Sequence, residues 1–194
     1  MTVQPLPMSP DWDARSMPEA LPEPLGIQGL HAVLRKAGAR NVDQKQRLAA
    51  RQQRWIQELQ QLCDRIQQEW LSSLVASGEV TLAAIEVPLN EQLIGSYRAP
   101  GLLINLADRD VRLEPKGTMV IGAAGRADLQ GPGGFATLVL ESPDLPLKPF
   151  HECAFTWSLV ARSPRVVKIP LDANTFADAL LQVGGFMNPV TASI

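Results

Sequence analysis

Residues 55–77 read WIQELQQLCDRIQQEWLSSLVAS, and this stretch decides the fold. Its apolar side chains recur every three or four residues, which is the spacing of one face of an α-helix. The stretch contains no Pro or Gly and is rich in Gln, Leu and Glu, which are good helix formers. It therefore predicts an amphipathic helix whose apolar face packs against a sheet or another helix.

The helix predicted from this stretch begins earlier in the chain and spans 42–77. Asn41 has the residue type of an N-cap, with Gln44 three residues later, and Gly78 follows the last predicted helical residue. At about 1.5 Å per residue, such a helix would measure on the order of 50 Å, which exceeds the width of a small domain. We therefore expect part of it to be covered by something outside its own domain.

Composition divides the chain into three parts. Residues 1–27 hold six of the 16 prolines, which interrupt helices and sheets, so a flexible Pro-rich tail is expected there. Residues 28–79 are the helical region, in which a short helix over 28–36, ended by Gly38, precedes the long one. Residues 80–194 carry short apolar or alternating runs separated by turn residues, which is typical of an antiparallel sheet.

The third part is predicted to contain roughly six to eight antiparallel strands and a closing helix. Asp172 has the position of an N-cap, and Leu171 and Phe176 have those of a hydrophobic staple, which predicts a helix over 172–183. The expected strands are 80–87, 102–107, 110–114, 118–122, 126–130, 135–141, 154–161 and 165–169. The predicted fold class is therefore α+β: a long N-terminal helix packed on an antiparallel meander, either a curled sheet or an open barrel.

Charge, hydropathy and cysteine usage restrict the function classes. Eighteen basic and 20 acidic residues give a net charge of −2, which excludes non-specific attraction to nucleic acid through total charge. No apolar run reaches the ~18 residues that a membrane-spanning helix needs. The opening residues lack the pattern of a secretory signal, so Cys63 and Cys153 are expected to be reduced thiols. We expect a cytoplasmic protein without membrane contact.

The sequence offers little support for catalysis. Its glycine-rich stretches match no phosphate-binding loop, and no serine lies in a G-x-S-x-G context. His151 and Cys153 supply too few ligands for zinc, and as a nucleophilic pair they would need a third, orienting group. Asp108, Asp110 and Asp128 lie beside arginines, which favours solvated ion pairs over acid–base catalysis. We therefore expect no metal and no cofactor, and a small hydrolase built on these residues is a minor alternative.

The strongest local signal is a run of positive charge. Between residues 35 and 54 there are seven basic side chains and one acidic side chain. Four arginines, at spacings of seven, four and three residues, would line one flank of the helix. These are Arg40, Arg47, Arg51 and Arg54. Such a flank suits contacts with phosphates or with an acidic partner, and a solvated helix face is the alternative.

The leading hypothesis is a non-catalytic accessory or adaptor protein that acts through protein–protein association, with itself or with a partner. Large apolar side chains on a partly covered helix are of the type that dominates interface energetics. The residues predicted to form the interface are Trp55, Ile56, Leu59, Leu62, Ile66 and Trp70. One alternative is a nucleic-acid-binding accessory protein that uses the basic helix face 35–54, and the other is the small hydrolase.

Overall fold

The computed structural model describes residues 26–162 and 166–187. Most of the Pro-rich tail expected over 1–27 therefore lies outside the described residues. The chain divides into two compact units between Val42 and Asp43. Among the residues described, no helix is both long enough and apolar enough to cross a membrane.

Helix α1 spans Gly26–Arg65 and is not interrupted where the sequence predicted a break. The backbone stays helical through Gly38, at which the short helix was expected to end. A single internal glycine costs only about 1 kcal/mol relative to alanine, and the flanking Ala37 and Ala39 are the strongest helix formers. The prediction of two separate helices is therefore wrong at this point.

A wide turn interrupts the predicted helix before Ser77. Residues Ile66–Trp70 form one π-helical turn, Leu71 leaves helical geometry with φ −111° and ψ 5°, and helix α2 then spans Ser72–Ser77. The extra residue of a π-turn changes the direction of the side chains that follow it. Leu71 is consequently in the core, with 2% of its surface exposed. Gly78 ends α2 in the left-handed conformation, at φ 82°, as predicted.

Seven antiparallel strands form one sheet in which the strand order follows the chain order. The strands are β1 (Val80–Glu91), β2 (Gly95–Leu106), β3 (Arg109–Gly117), β4 (Gly125–Gly131), β5 (Gly134–Glu141), β6 (Thr156–Arg162) and β7 (Val166–Pro170). A short 3₁₀ turn, Phe150–Glu152, lies between β5 and β6, and helix α3 (Ala173–Val183) follows β7. The predicted α+β fold is confirmed, with an open sheet whose edges are β1 and β7.

The strand predicted over 118–122 is not formed. The N–H groups of Thr118 and Met119 donate to Oε2 of Glu91, at 2.8 and 3.0 Å, instead of to a neighbouring strand. Gly122 adopts φ 77°, which turns the chain out of an extended conformation. The remaining seven predicted strands correspond to the seven observed, with shifted ends.

The first hairpin is longer than predicted. Strands β1 and β2 pair over their full lengths, from Val80 opposite Leu106 to Glu91 opposite Gly95. Pro88 is compatible with this pairing because β1 is an edge strand, where a missing N–H leaves no partner unsatisfied. The far end of the hairpin brings Glu91 to the loop that follows β3.

The part of α1 that follows Asp43 packs on the sheet through the apolar face predicted from its sequence. Four side chains of α1 and the turn after it have no exposed surface: Trp55, Leu59, Leu62 and Ile66. They share one core with cross-strand neighbours of the sheet, such as Leu140 opposite Trp157. Burial of this face accounts for the position of the helix, since apolar area removed from water is the main stabilising contribution.

Trp55 fits into this core because residue 125 is glycine. A Cβ atom on Gly125 would lie 2.3 Å from Cζ3 and 2.7 Å from Cε3 of Trp55, far inside van der Waals contact. The ring of Trp157 lies 5.7 Å from that of Trp55, centroid to centroid, with an angle of 39° between the planes. The two contacts together fix α1 against β4 and β6.

Helix α3 begins as the sequence predicted, at Asp172. The Thr175 N–H donates to Oδ1 of Asp172 at 2.9 Å, and the Asp172 N–H donates to Oγ1 of Thr175 at 2.8 Å, which makes a reciprocal capping box. Phe176 and Leu180 are buried in the core. The Gly133 N–H donates to the Val183 carbonyl oxygen at 2.6 Å, which joins the end of α3 to the turn between β4 and β5.

The substitution Gly125→Ala is expected to lower the free energy of unfolding by about 1–3 kcal/mol, because the added methyl group displaces Trp55 in a packed core. Denaturant unfolding followed by circular dichroism measures the loss. Gly38→Ala is the matched control, since nothing lies within 4 Å of its added methyl group. Replacing Trp55 by Phe in the Gly125→Ala chain should recover part of the loss, and strictly additive losses would contradict the clash.

Candidate functional site

Five of the six residues predicted to form an interface pack in or against the chain's own core. Four are fully buried: Trp55, Leu59, Leu62 and Ile66. Trp70 is half-buried, and its ring packs on Phe176 of α3 with the centroids 5.3 Å apart. Ile56 is also half-buried. The prediction of a partner contact is therefore wrong for the four buried residues, which the chain's own core encloses, whereas for Ile56 and Trp70 it stays a prediction.

Arg51, predicted to contact phosphate, stabilises a loop of the fold instead. Its Nη2 donates to the Thr118 carbonyl oxygen at 2.6 Å, and its guanidinium stacks over the Phe150 ring, 4.7 Å from the centroid. Burial lowers the pKa of Arg51, an effect that the nearby Glu91 and Tyr97 oppose. The guanidinium is thus directed into the protein, and this part of the basic-flank prediction is wrong.

The other three arginines of the predicted flank fall into two groups. Arg54 is partly buried, and its Nη2 lies 2.8 Å from Oε1 of the buried Glu58 on the same helix. Arg40 and Arg47 are exposed, and Nη2 of Arg47 lies 3.0 Å from Oδ2 of Asp43. Of the four predicted phosphate contacts, Arg40 and Arg47 are therefore the two that solvent reaches freely.

Glu91 is the polar residue that sequence reasoning missed. Its Oε2 accepts hydrogen bonds from the N–H and Oγ1–H of Thr118, at 2.8 and 3.0 Å, and from the N–H of Met119 at 3.0 Å. Its Oε1 accepts from the hydroxyl of Tyr97, and burial raises the pKa of Tyr97, as does this bond. These four hydrogen bonds join the end of β1 to the loop after β3 and to Tyr97.

The carboxylates of the minor hydrolase alternative are not gathered in one place. Asp108 lies in the turn between β2 and β3 with 90% of its side chain exposed. Asp128 lies on β4 opposite Glu114, which is four residues, or ~13 Å, along β3 from Asp110. Both oxygens of Asp128 accept from Arg126, from Nε and Nη2 at 2.8 Å each. This ion pair joins two residues of β4, so the Asp128 carboxylate is occupied by Arg126.

The histidine and cysteine side chains have separate surroundings. The Cys153 thiol is buried and lies 3.3 Å from the Pro149 carbonyl oxygen, whereas Nε2 of His151 lies 3.5 Å from a carboxylate oxygen of the exposed Glu152. Burial raises the pKa of Cys63 to about 12, so this thiol is neutral at neutral pH. Within 26–162 and 166–187, no three His, Cys, Asp or Glu side chains are placed to hold a metal ion.

An exposed set of apolar side chains lies on the first part of α1. We call it the apolar stripe: Ile27, Leu30, Val33 and Leu34, each with more than half of its surface exposed. Residues 26–42 are the first part of α1, and they are the residues of the first compact unit that the structure describes. The same residues include three basic side chains and no acidic one. The stripe is therefore an apolar surface on a positively charged helix.

A second apolar surface lies between α2, the turn after β2, and α3. We call it the apolar groove, a depression of about 300 Å³. Its apolar lining is Leu71, Leu74, Leu106, Ala107, Ala177, Leu180, Leu181 and Phe186. Nη1 of Arg109 donates to the carbonyl oxygens of Gly184 and Gly185, at 2.8 and 2.7 Å, and the guanidinium lies 4.2 Å from the Phe186 ring centroid. Arg109 thus holds one wall of the groove in place.

Burial of Glu58 makes stability depend on pH. Burial raises the pKa of its carboxyl group above the ordinary value of 4.5, and Arg54 and Arg65 oppose this effect only in part. The folded chain therefore keeps this proton at a pH where the unfolded chain has lost it. In that window the folded state binds more protons, so the free energy of unfolding falls as the pH rises.

Glu58→Gln is expected to remove this part of the pH dependence, because glutamine does not titrate. The free energy of unfolding of the variant, relative to the natural chain, should rise as the pH is raised from 4.5 through the elevated pKa. Urea unfolding at a series of pH values measures it. Glu69→Gln, at an exposed position of the following turn, is the control. A difference that stays constant with pH would contradict the assignment.

Comparison with known proteins does not identify the chain. No protein-family model matches it, and no curated protein or solved structure matches it. Its function is therefore inferred from its own surfaces, of which the apolar stripe and the apolar groove are the two apolar ones described above.

Proposed function

We propose that the protein is a non-catalytic accessory protein that works by association with other protein chains, in the first place with copies of itself. The apolar stripe makes the contact, in place of the face around Trp55. The observation that carries the proposal is the exposure of four large apolar side chains on one helix. Contiguous exposed apolar surface of this kind marks interaction sites in soluble proteins.

The spacing of the stripe supports this proposal. Ile27, Leu30 and Leu34 occupy positions i, i+3 and i+7, which is the anchor spacing of a helix that docks in a groove or pairs with another helix. Val33 widens the stripe on one side. The opposite face of this helix carries Lys36, so that face is polar and remains in water when the stripe is in contact with a partner.

The state of the polar groups supports a non-catalytic role. Asp128 is bound by Arg126, and all hydrogen-bonding capacity described for Glu91 is directed at one loop and one tyrosine. Cys63 is buried and neutral. Catalysis requires a group whose protonation and geometry are set for a reacting atom, and these groups are instead set for contacts inside the chain.

Leu30→Asp combined with Leu34→Asp is expected to weaken self-association at least tenfold, because buried anchors of this type are worth about 1–2 kcal/mol or more each. Sedimentation equilibrium over a concentration series measures the association constant. The control is Ala32→Asp with Ala39→Asp, which puts the same two charges on the opposite face of the helix. A natural chain that stays monomeric, or a stripe variant that associates unchanged, would contradict the proposal.

A second candidate function is binding of nucleic acid, supported by the exposure of Arg40 and Arg47. Replacing both by Gln is expected to weaken binding to duplex DNA or RNA and to lower the slope of log affinity against log salt by about 2, because each phosphate contact contributes about one unit. Electrophoretic mobility shift over a salt series measures both. Arg98→Gln, at an exposed position in the sheet, is the control. Absence of any shift at low salt would rule this function out.

A further inference from the structure

The apolar groove has the construction of a docking surface. Leu71 and Leu180, 2 and 3% exposed, form a buried floor, whereas Leu74 and Leu181 on its sides are 38 and 41% exposed. An apolar cavity of ~150 Å³ accommodates a benzene molecule, so about 300 Å³ accommodates two aliphatic side chains. A helix that docks in a groove inserts such a pair, three or four residues apart.

The elements that line the groove carry mostly negative charge. Glu79 lines it directly, Asp178 follows the lining residue Ala177 in α3, and Asp108 follows Ala107 in the turn. Arg109 is the one basic side chain described in these lining segments; its Nη1 donates to backbone carbonyl oxygens and its Nε lies 3.9 Å from Oδ1 of Asp108, so the remaining negative charge is that of Glu79 and Asp178. The rim of the groove therefore favours an occupant with positive charge.

The apolar stripe carries the complementary charge. Arg35, Lys36 and Arg40 lie within and just after it, and no acidic residue occurs from 26 to 42. Leu30 and Leu34, four residues apart, are the pair of aliphatic side chains that the groove has room for. One chain thus carries both an apolar helix with basic flanks and an apolar groove with acidic flanks.

We propose that the apolar stripe of one copy docks in the apolar groove of a second copy, with Leu30 and Leu34 packed against Leu74 and Leu181. This inference rests on the proposed function, which is association through the apolar stripe, and it adds the apolar groove as the surface that binds the stripe. Because two different surfaces meet, the contact is heterologous. A copy with one intact surface is therefore able to bind one neighbour and no more.

Two full-length variants, each lacking one surface, test the inference. The stripe variant is Leu30→Asp with Leu34→Asp, and the groove variant is Leu74→Asp with Leu181→Asp. Each alone is expected to be monomeric at concentrations where the natural chain associates. An equimolar mixture is expected to form 1:1 complexes and nothing larger, because it restores one intact stripe and one intact groove. Sedimentation velocity with a fluorescent label on one variant measures this.

The outcomes separate this inference from the proposed function. A groove variant that self-associates like the natural chain, while the stripe variant does not, overturns the groove as receptor and leaves association through the stripe standing. Two monomeric variants that also fail to bind each other overturn the heterologous contact. A stripe variant that associates unchanged overturns both proposals.

Control variants distinguish loss of association from loss of folding. Leu93→Asp with Leu147→Asp places the same charges on two other exposed leucines and should leave association unchanged. A gentler test is Glu79→Lys with Asp178→Lys, at two exposed positions. It is expected to weaken association about tenfold and to be compensated by Arg35→Glu with Arg40→Glu, because like charges repel and opposite charges attract across the contact. An association constant that these reversals do not change would overturn the proposed pairing.

Discussion

The rest of the structure depends on the packing of the Trp55 indole against the bare backbone of Gly125. Since nothing larger than hydrogen fits at residue 125, helix α1 and strand β4 approach each other in one arrangement, and Trp157 of β6 completes the contact. Every other strand is positioned relative to β4 and β6 by pairing with its neighbour along the chain. The apolar face of α1 near Trp55 is therefore buried within the chain's own core.

The arginines of α1 fall into those that bind groups within the fold and those that are exposed. Arg51 binds the Thr118 carbonyl oxygen and Arg54 binds the Glu58 carboxylate. Both contacts lie within the unit that begins at Asp43. Arg40 and the leucines of the apolar stripe have no comparable role among the contacts described. The proposed association involves exposed side chains that make no core contact among those described. It does not change the packing around Trp55.

The fold class was predictable from local patterns, whereas the site was not. The periodicity from Trp55 to Ile66 and the N-cap at Asp172 are local signals that packing reinforces. Residues 118–122 have the composition of a strand, but a carboxylate 27 residues earlier in the chain, on Glu91, binds their N–H groups. The interface prediction failed for a similar reason: a one-sided apolar helix looks the same whether a partner or the chain's own sheet covers it. Only the tertiary contacts of Trp55 and Arg51 distinguish these cases.

The position of Trp55 in the chain has a consequence for synthesis on the ribosome. Trp55 is made 70 residues before Gly125 and 102 residues before Trp157. At about 5–20 residues per second, the nascent chain spends roughly 4–14 s with this indole made and β4 not yet translated. Strands β1, β2 and β3 are translated during this interval, but β4, which packs against the indole, is not. The nascent chain therefore exposes an apolar helix face of the kind that molecular chaperones bind.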